Sequence, residues 1–133
     1  MTIIKEQYLS QIIEHAKSKA PNEVCGILAG KDGIVEKVYK TANVSDNPGL
    51  CYLMDPKEQL KIMKEIRNSG LEMAAIYHSH PHGAAYPSKK DVELAFYPEA
   101  SYIIVSLANQ KDPELRCFRI IDEKITEEDI IKG

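Results

Sequence analysis

The sequence predicts a mixed α/β (α+β) fold in which helices pack on a single β-sheet. Two stretches carry apolar residues at helical spacing, and short β-branched or aromatic runs lie between and after them. The chain has 133 residues, of which 44% are hydrophobic and 28% are charged, as in a globular protein with its own core. We therefore assign residues 1–133 to one domain.

The first half of the chain combines one helix with three candidate strands. Residues 6–19 predict a helix that Pro21 ends, because apolar residues recur there at i, i+3, i+4 and i+7. These apolar residues are Leu9, Ile12, Ile13 and Ala16. The other expected elements are a buried strand over 24–30, a turn at 31–33, a strand over 33–42, a loop over 43–50 and a short strand over 51–54.

The second half begins with a helix that has clear start and stop signals. Asp55 is a good N-cap, Pro56 suits the first helical position, and Glu58 completes a capping-box pattern. Gly70 is placed to end this helix, whose apolar face would carry Leu60, Ile62, Met63 and Ile66. The remaining elements are a strand over 72–80, a helix over 88–96, strands over 101–108 and 114–121, and a tail, 124–133, that is either strand or helix.

Composition and charge exclude several classes of function. Lys and Arg number 17 against 20 Asp and Glu, and this net charge of −3 favours no nucleic-acid partner. No run of 18 apolar residues predicts a membrane span, and the first ten residues lack the apolar centre of a signal peptide, so we expect a cytoplasmic protein. The three cysteines, at 25, 51 and 117, form no CxxC pair or disulfide framework and are expected to be buried small hydrophobes.

Histidines cluster at the end of the strand predicted over 72–80. Residues two apart in a strand point to the same side, so His78 and His80 can present two imidazoles to one metal ion. Pro81 should end the strand there, and Asp91 is near enough in sequence to fold back as a third ligand. Two His, one carboxylate and one open position is typical of a catalytic zinc site, so we expect one Zn²⁺ per chain.

Each part of this cluster also has a simpler structural interpretation. A histidine on a strand is commonly packed or hydrogen-bonded, and Ser88 with Asp91 fits the [ST]-x-x-[DE] capping box. Both interpretations hold together if Ser88 begins a helix while Asp91, in its first turn, faces the metal. Glu23 precedes an apolar strand, but spacing does not single it out among the glutamates as a proton shuttle.

Taken together, these residues resemble the JAMM, or MPN+, metalloprotease family, in its small prokaryotic single-domain type. The family motif is an upstream Glu, then His-Ser/Thr-His-Pro, then a Ser after seven intervening residues and an Asp after two more. The matching positions are Glu23, His78-Ser79-His80-Pro81, Ser88 and Asp91. Residues 23–30 resemble the glutamate strand of the family, and Asn43, Tyr52 and Asp55-Pro56 resemble its middle segment.

The resemblance implies a fold and a role for each motif residue. The fold would be a curved central mixed β-sheet flanked by helices, similar to cytidine deaminase, although a deaminase itself is disfavoured because its H-x-E and P-C-x-x-C signature is absent. His78, His80 and Asp91 would bind zinc. Glu23 would carry a proton from the attacking water to the leaving amine, and Ser88 would stabilise the oxyanion. Ser79 should face away from the site, and His82 should lie at its rim.

The resemblance also implies an activity and a partner. Members hydrolyse the peptide or isopeptide bond after the C-terminal glycines of a ubiquitin-like or sulfur-carrier protein. Two alternatives are a non-catalytic MPN-type binding module and a metal-dependent small-amide hydrolase. The complete set of motif residues argues against the binding module, which typically lacks ligands. The choice of carrier, the bond type and the oligomeric state, a homodimer included, stay open.

Overall fold

A computed structural model describes residues 2–133. The described chain forms three helices and eight strands. In chain order these are β1 (Thr2–Ile4), α1 (Glu6–Lys19), β2 (Cys25–Lys31), β3 (Ile34–Thr41), α2 (Pro56–Asn68), β4 (Glu72–His80), α3 (Lys89–Glu93), β5 (Ser101–Ser106), β6 (Glu114–Ile121), β7 (Lys124–Glu128) and β8 (Ile130–Lys132). The predicted mixed fold is confirmed. Within the described part of the chain, no helix is long and apolar enough to cross a membrane.

All eight strands belong to one curved mixed sheet in the order β7-β6-β5-β4-β2-β3-β1-β8. Strand β4 is central: it runs antiparallel to β2 and parallel to β5. Strands β7 and β8 stand at opposite ends of this order, yet only Asp129 separates them in sequence. One continuous stretch of chain, 124–132, therefore forms both edge strands. The sheet must curl so that its two edges come together at Asp129.

The two faces of the sheet bury separate apolar cores. Helix α1 covers one face through Leu9, Ile12 and Ala16, which pack with Ala75 and Tyr77 of β4. Helix α2 covers the other face through Ile62 and Ile66, which pack with Ile76. Side chains alternate along a strand, so from Ala75 onward the even-numbered residues of β4 face the α2 side. His78 and His80 therefore lie on that side, at the end of the central strand.

The structure corrects the prediction of a strand over 51–54. This segment forms only an isolated bridge between Met54 and Asn43. The Asn43 side chain hydrogen-bonds to the backbone of this segment. Its amide nitrogen donates to the Cys51 carbonyl at 3.2 Å, and its amide oxygen accepts from the Leu53 N–H at 3.0 Å. These hydrogen bonds replace those of a neighbouring strand, because a side-chain amide can imitate a backbone pairing partner.

Other predicted elements differ at their ends. The strand β1 was not predicted, since three residues carry no periodicity, and α3 covers 89–93 rather than 88–96. The open question of the tail is answered by strands β7 and β8. Cys25 and Cys117 are buried as expected, whereas Cys51 is only half-buried, beside the partly exposed segment 46–50.

The predicted cap of α2 is confirmed in part. The Asp55 carboxylate accepts from the Lys57 N–H at 3.0 Å, as an N-cap does. Glu58 does not complete the capping box, because its carboxylate accepts from the Ala42 N–H at 2.8 Å and ties the helix to the end of β3. Leu60 is also not on the buried face: its side chain is 55% exposed.

A buried polar pair joins α1 to the central strand. The Tyr77 hydroxyl lies 2.7 Å from His15 Nδ1, and the Tyr77 ring occupies space that only a glycine at position 26 leaves open. Burial lowers the pKa of His15 to about 4, and the positive charges of Lys40 and Lys19 act in the same direction. His15 is therefore neutral in the folded protein near pH 7.

This neutral His15 should make folding stability fall in acid. An unfolded histidine titrates near 6.5 and the folded one near 4, so the unfolded chain binds the extra proton between these values. The stabilisation is complete above pH 6.5 and is lost as the pH falls towards 4. We expect His15→Gln to remove about 1–2 kcal/mol of this pH dependence, an amount reduced for solvent screening. Urea unfolding of the unchanged protein and of His15→Gln at pH 7.5 and 4.5 measures this difference. Equal losses of unfolding free energy in the two proteins would contradict a buried, neutral His15.

Candidate metal centre and active site

The C-terminal end of β4 presents two imidazoles to the same side of the sheet. His78 lies opposite Cys25 of β2, and His80 pairs with Ser106 of β5, so both neighbouring strands fix the position of the histidines. The two Nε2 atoms are 3.1 Å apart. The strand period of two that suggested this pair therefore holds in the structure.

Helix α3 brings Asp91 to the same point. Asp91 Oδ1 lies 3.1 Å from His78 Nε2, and Oδ2 lies 3.0 Å from His80 Nε2. Ligands placed tetrahedrally about zinc at roughly 2.0–2.1 Å are about 3.3 Å apart, so small side-chain shifts would admit an ion. Among the described residues, these three form the group suited to hold a metal.

Hydrogen bonds and burial set the protonation states of the candidate ligands. Burial opposes a proton on His80, but its hydrogen bonds to Asp91 and Ala84 outweigh burial and raise the pKa of His80, so zinc binding would displace a proton there. His80 Nδ1 donates to the Ala84 carbonyl at 2.8 Å, which leaves Nε2 directed at the centre. Burial lowers the pKa of His78 and so keeps it neutral. Burial opposes ionisation of Asp91, but the hydrogen bonds from His78 and His80 outweigh it and hold the pKa of this carboxyl well below its usual range. The donor set therefore fits a divalent zinc ion.

Tyr52 and Ser79 support this centre from neighbouring elements. The Tyr52 ring stacks on His78 with centroids 4.6 Å apart, and His78 Nδ1 has no hydrogen-bond partner among the described residues. Ser79 points away from the centre, as predicted, and its Oγ accepts from the Val24 N–H at 2.9 Å. The sequence does not predict this positioning contact of Ser79, because the contact depends on the register between β4 and the chain before β2.

Glu23 is a buried carboxylate two residues before β2, only 6% exposed. Its Oε1 is buried without a hydrogen-bond partner in the described chain. Its backbone is held on both sides: the N–H donates to the Pro48 carbonyl at 2.7 Å, and the Asn43 amide donates to its carbonyl at 2.9 Å. Burial raises the pKa of Glu23 to about 7, and the charge of Asp91 adds to this effect while that of His80 opposes it. Such a group can both accept and release a proton near pH 7.

Ser88 forms the predicted capping box and keeps its own proton available. Its Oγ accepts from the Asp91 N–H at 3.2 Å, and Asp91 Oδ2 accepts from the Ser88 N–H at 2.9 Å. The cap uses a lone pair of the hydroxyl, and a serine hydroxyl can still donate its hydrogen. The two interpretations of Ser88 are thus compatible, since one residue can begin α3, orient Asp91 and donate into the site. His82, expected at the rim, is exposed in the turn that follows β4.

The fold and this site define a class of protein: a curved-sheet domain with a His-His-Asp centre at the end of its central strand. A family model described as prokaryotic homologs of the JAB domain matches residues 5–121. The CysO-cysteine peptidase of Mycobacterium tuberculosis is 36% identical over 130 residues, which are 96% of this chain and 88% of the relative. The chain belongs to the prokaryotic JAB branch of the JAMM/MPN family.

Further relatives agree with this assignment. The desampylase of Haloferax volcanii is 36% identical over 77% of this chain and 75% of its own length. A Desulfitobacterium hafniense protein of known solution structure is 39% identical, with a TM-score of 0.90 over 100% of this chain and 93% of that one. A JAB1/MPN domain protein from Archaeoglobus fulgidus shares the fold, with a TM-score of 0.66 and 22% identity over 99% of this chain and 100% of the other.

Proposed function

We propose that this protein is a zinc metallopeptidase that hydrolyses the peptide or isopeptide bond after the C-terminal glycine of a ubiquitin-like or sulfur-carrier protein. The observation that carries the proposal is the convergence of His78, His80 and Asp91 on one point. Near them lies the buried carboxyl of Glu23, one oxygen of which has no hydrogen-bond partner and whose pKa responds to the charges of His80 and Asp91. A structural ion-pair network would leave no such carboxylate atom buried and unpaired.

His78, His80 and Asp91 would hold the zinc ion through two imidazole nitrogens and a carboxylate oxygen. When bound, zinc supplies Lewis acidity, which polarises a scissile carbonyl and makes a water more acidic. The chain prepares for this ion by directing His80 Nε2 inward through Ala84 and by fixing Asp91 through the cap of α3. Hydrogen bonds of this kind, made to the ligand residues rather than to the metal, fix the orientation and the protonation of the ligands.

Glu23 and Ser88 would handle the proton and the oxyanion. Glu23 takes a proton from the attacking water and gives it to the nitrogen of the leaving amine, so the carbon–nitrogen bond breaks without expelling an amide anion. Ser88 donates its hydroxyl hydrogen to the oxygen that gains charge on the former carbonyl. The buried environment of Glu23 and the lone-pair cap of Ser88 support these assignments.

The relatives support a carrier protein as substrate. Their names specify a CysO-cysteine peptidase and two desampylases, and a Thermus thermophilus relative is named a probable TtuB-protein conjugate cleaving protease. A non-catalytic binding module would have no use for a buried, unpaired Glu23 beside a complete set of ligands. A small-amide hydrolase would use the same centre, and the test below distinguishes it.

The test uses a ubiquitin-like sulfur-carrier protein ending in Gly-Gly and extended at its C-terminus. We expect the purified chain to bind about one Zn²⁺, and we expect chelation to abolish cleavage after the last glycine and added zinc to restore it. Elemental analysis gives the metal content, and mass spectrometry of the carrier gives the cleaved bond. Equal turnover of a short acyl amide and of the carrier fusion would favour the small-amide hydrolase; full activity after complete zinc removal would overturn the proposal.

A further inference from the structure

A buried hydroxyl at the end of β5 hydrogen-bonds to the turn that follows β4. Ser106 pairs with His80 in the parallel ladder, and the His80 carbonyl accepts from the Leu107 N–H at 3.1 Å. The Ser106 side chain belongs to a residue that is only 4% exposed. Its Oγ donates to the Gly83 carbonyl at 2.6 Å and accepts from the Ala108 N–H at 3.2 Å. Neither the family motif nor the proposed mechanism uses Ser106.

The turn at residues 82–84 has few other ties to the sheet. These residues are exposed and belong to neither a helix nor a strand. Within the described chain, the Ser106 hydroxyl makes the hydrogen bond that joins this turn to β5. The next residue, Ala85, is fully buried in the core on the α2 side. Ala84 therefore lies between two anchored points, the hydrogen-bonded carbonyl of Gly83 and the buried side chain of Ala85.

The first of these anchors restrains the direction of the Ala84 carbonyl. A peptide unit is planar, so the hydrogen bond to the Gly83 carbonyl restrains the whole unit between residues 83 and 84. Only the φ and ψ angles of Ala84 then separate this unit from the next carbonyl. That carbonyl accepts from His80 Nδ1 and from the Tyr86 N–H, both at 2.8 Å. The anchored turn thus keeps an acceptor directly beside the His80 ring.

This acceptor determines which nitrogen of His80 faces the metal centre. An imidazole that binds a metal through Nε2 keeps its hydrogen on Nδ1, and that hydrogen needs an acceptor. His80 Nε2 lies 3.1 Å from His78 Nε2 and 3.0 Å from Asp91 Oδ2, among the other candidate ligand atoms. Loss of the partner of a ligating histidine typically weakens metal binding or activity roughly 10–100-fold. The Ser106 hydroxyl would act on the same hydrogen bond from one step further out.

We propose that Ser106 is a positioning residue for the zinc site, because its hydrogen bond to the turn keeps the Ala84 carbonyl against His80 Nδ1. The inference rests on the proposed function, since it takes His80 to be a zinc ligand. The competing interpretation is a purely structural role, in which the hydroxyl ends β5 by accepting from the Ala108 N–H. The two roles differ in what loss of the hydroxyl does to metal binding.

The first experiment measures zinc affinity by competition with a chelator. Ser106→Ala should raise the Kd for zinc about tenfold, the lower end of the range for such partners, because the turn keeps its second anchor at Ala85. Ser101→Ala is the matched control. Ser101 is 3% exposed on the same strand and also donates a 2.6 Å hydrogen bond, to Glu128 Oε1, but it lies at the end of β5 remote from the histidines.

The control separates positioning from a general effect on β5. Ser101→Ala should lower the free energy of unfolding as Ser106→Ala does, since each loses a buried hydrogen bond, but it should leave the Kd for zinc unchanged. Urea unfolding of the two zinc-free variants measures the stability. An unchanged Kd in Ser106→Ala, or an equal rise of the Kd in both variants, would overturn the inference.

A second pair of variants removes the hydroxyl at nearly constant shape. Ser106→Thr keeps the hydroxyl, whereas Ser106→Val has a methyl group in its place, and both residue types suit a strand. We expect Ser106→Thr to keep the Kd for zinc within about twofold of the original and Ser106→Val to raise it about tenfold. This pair carries the test if Ser106→Ala does not fold. Equal Kd values in the two variants would assign the effect to packing and contradict the inference.

The hydrogen on His80 Nδ1 gives a readout that is independent of activity. In the zinc-loaded protein it should give a slowly exchanging ring N–H signal in NMR spectra, because the Ala84 carbonyl accepts it. Its exchange with solvent should be about tenfold faster in zinc-saturated Ser106→Ala and unchanged in Ser101→Ala. Unchanged exchange in Ser106→Ala would show that the carbonyl stays in place without the hydroxyl, and the inference would fail.

Turnover of a carrier fusion separates this inference from the proposed function. At saturating zinc, Ser106→Ala should lower kcat several-fold with little change in KM, since a buried hydroxyl makes no contact with a carrier. A rise in KM with kcat unchanged would indicate a role in carrier binding and contradict the inference. If the variants show the expected zinc affinities but the unchanged protein cleaves no carrier, the proposed peptidase is refuted and the positioning role stands. Absence of zinc binding by the unchanged protein would refute both.

Discussion

Glu23→Gln should keep zinc and lose hydrolysis by a factor on the order of 10² or more. The substitution preserves the shape of the side chain but cannot accept the proton of the attacking water. It removes none of the three candidate ligands, so metal content should stay near one ion per chain. The folded variant should be no less stable, because an ionised carboxylate at a site that is only 6% exposed opposes folding. Turnover of a carrier fusion, elemental analysis and thermal unfolding measure these three quantities.

Two further variants make this result specific. His80→Ala should lose both zinc and activity, since it removes a nitrogen that lies 3.0 Å from Asp91 and 3.1 Å from His78 in the candidate centre. Glu65→Gln, at an exposed position of α2, makes the same chemical change away from the site and should leave both unchanged. Near-normal turnover by Glu23→Gln would show that another group is the general base.

Substitutions of Ser88 should separate its two roles. A cap alone, lost in Ser88→Ala, would cost about 1 kcal/mol of stability and leave turnover of the folded enzyme nearly intact. Loss of an oxyanion donor should lower kcat by roughly 10²–10³. We expect Ser88→Ala to show both effects. Its Oγ accepts from the Asp91 N–H and retains a hydrogen to donate.

Ser88→Asp decides between the roles, because aspartate caps a helix as well as serine does but cannot donate a hydrogen bond when ionised. We expect this variant to fold at least as stably as Ser88→Ala and to stay inactive with zinc bound. Urea unfolding, metal content and kcat are measured on the same preparations. An active Ser88→Asp enzyme would reduce Ser88 to the start of α3 and would require another oxyanion donor.

The candidate metal centre was accessible from the sequence because local rules govern its parts. A strand of period two aligns His78 with His80, and a capping box fixes Asp91 in the first turn of α3. Glu23 was different: spacing did not distinguish it from other glutamates, and only the family resemblance did. Its placement depends on the pairing of β2 with β4 and on Ser79, which hydrogen-bonds to the next residue, Val24.

Elements that depend on distant partners were beyond the reach of sequence patterns. The segment 51–54 has the composition of a strand, but the side chain of Asn43 satisfies its backbone groups. Glu58 has the spacing of a capping box, but the N–H of Ala42 is a competing partner. A pocket that Glu23 lines is likewise formed by residues from α1, from β3 and from the loop after it. No sequence period links such pieces, because tertiary packing alone brings them together.

The joined edges of the sheet have a consequence for how the protein is made. Strand β1 lies between β3 and β8, so residues 2–4 complete their pairing only when residues 130–132 arrive. On a ribosome, the chain before this point carries two unpaired sheet edges, which invite pairing with other chains. Addition of residues 124–132 therefore covers two exposed strands, β6 and β1, with one continuous stretch of chain, while β4 with its histidines already lies in the middle of the strand order.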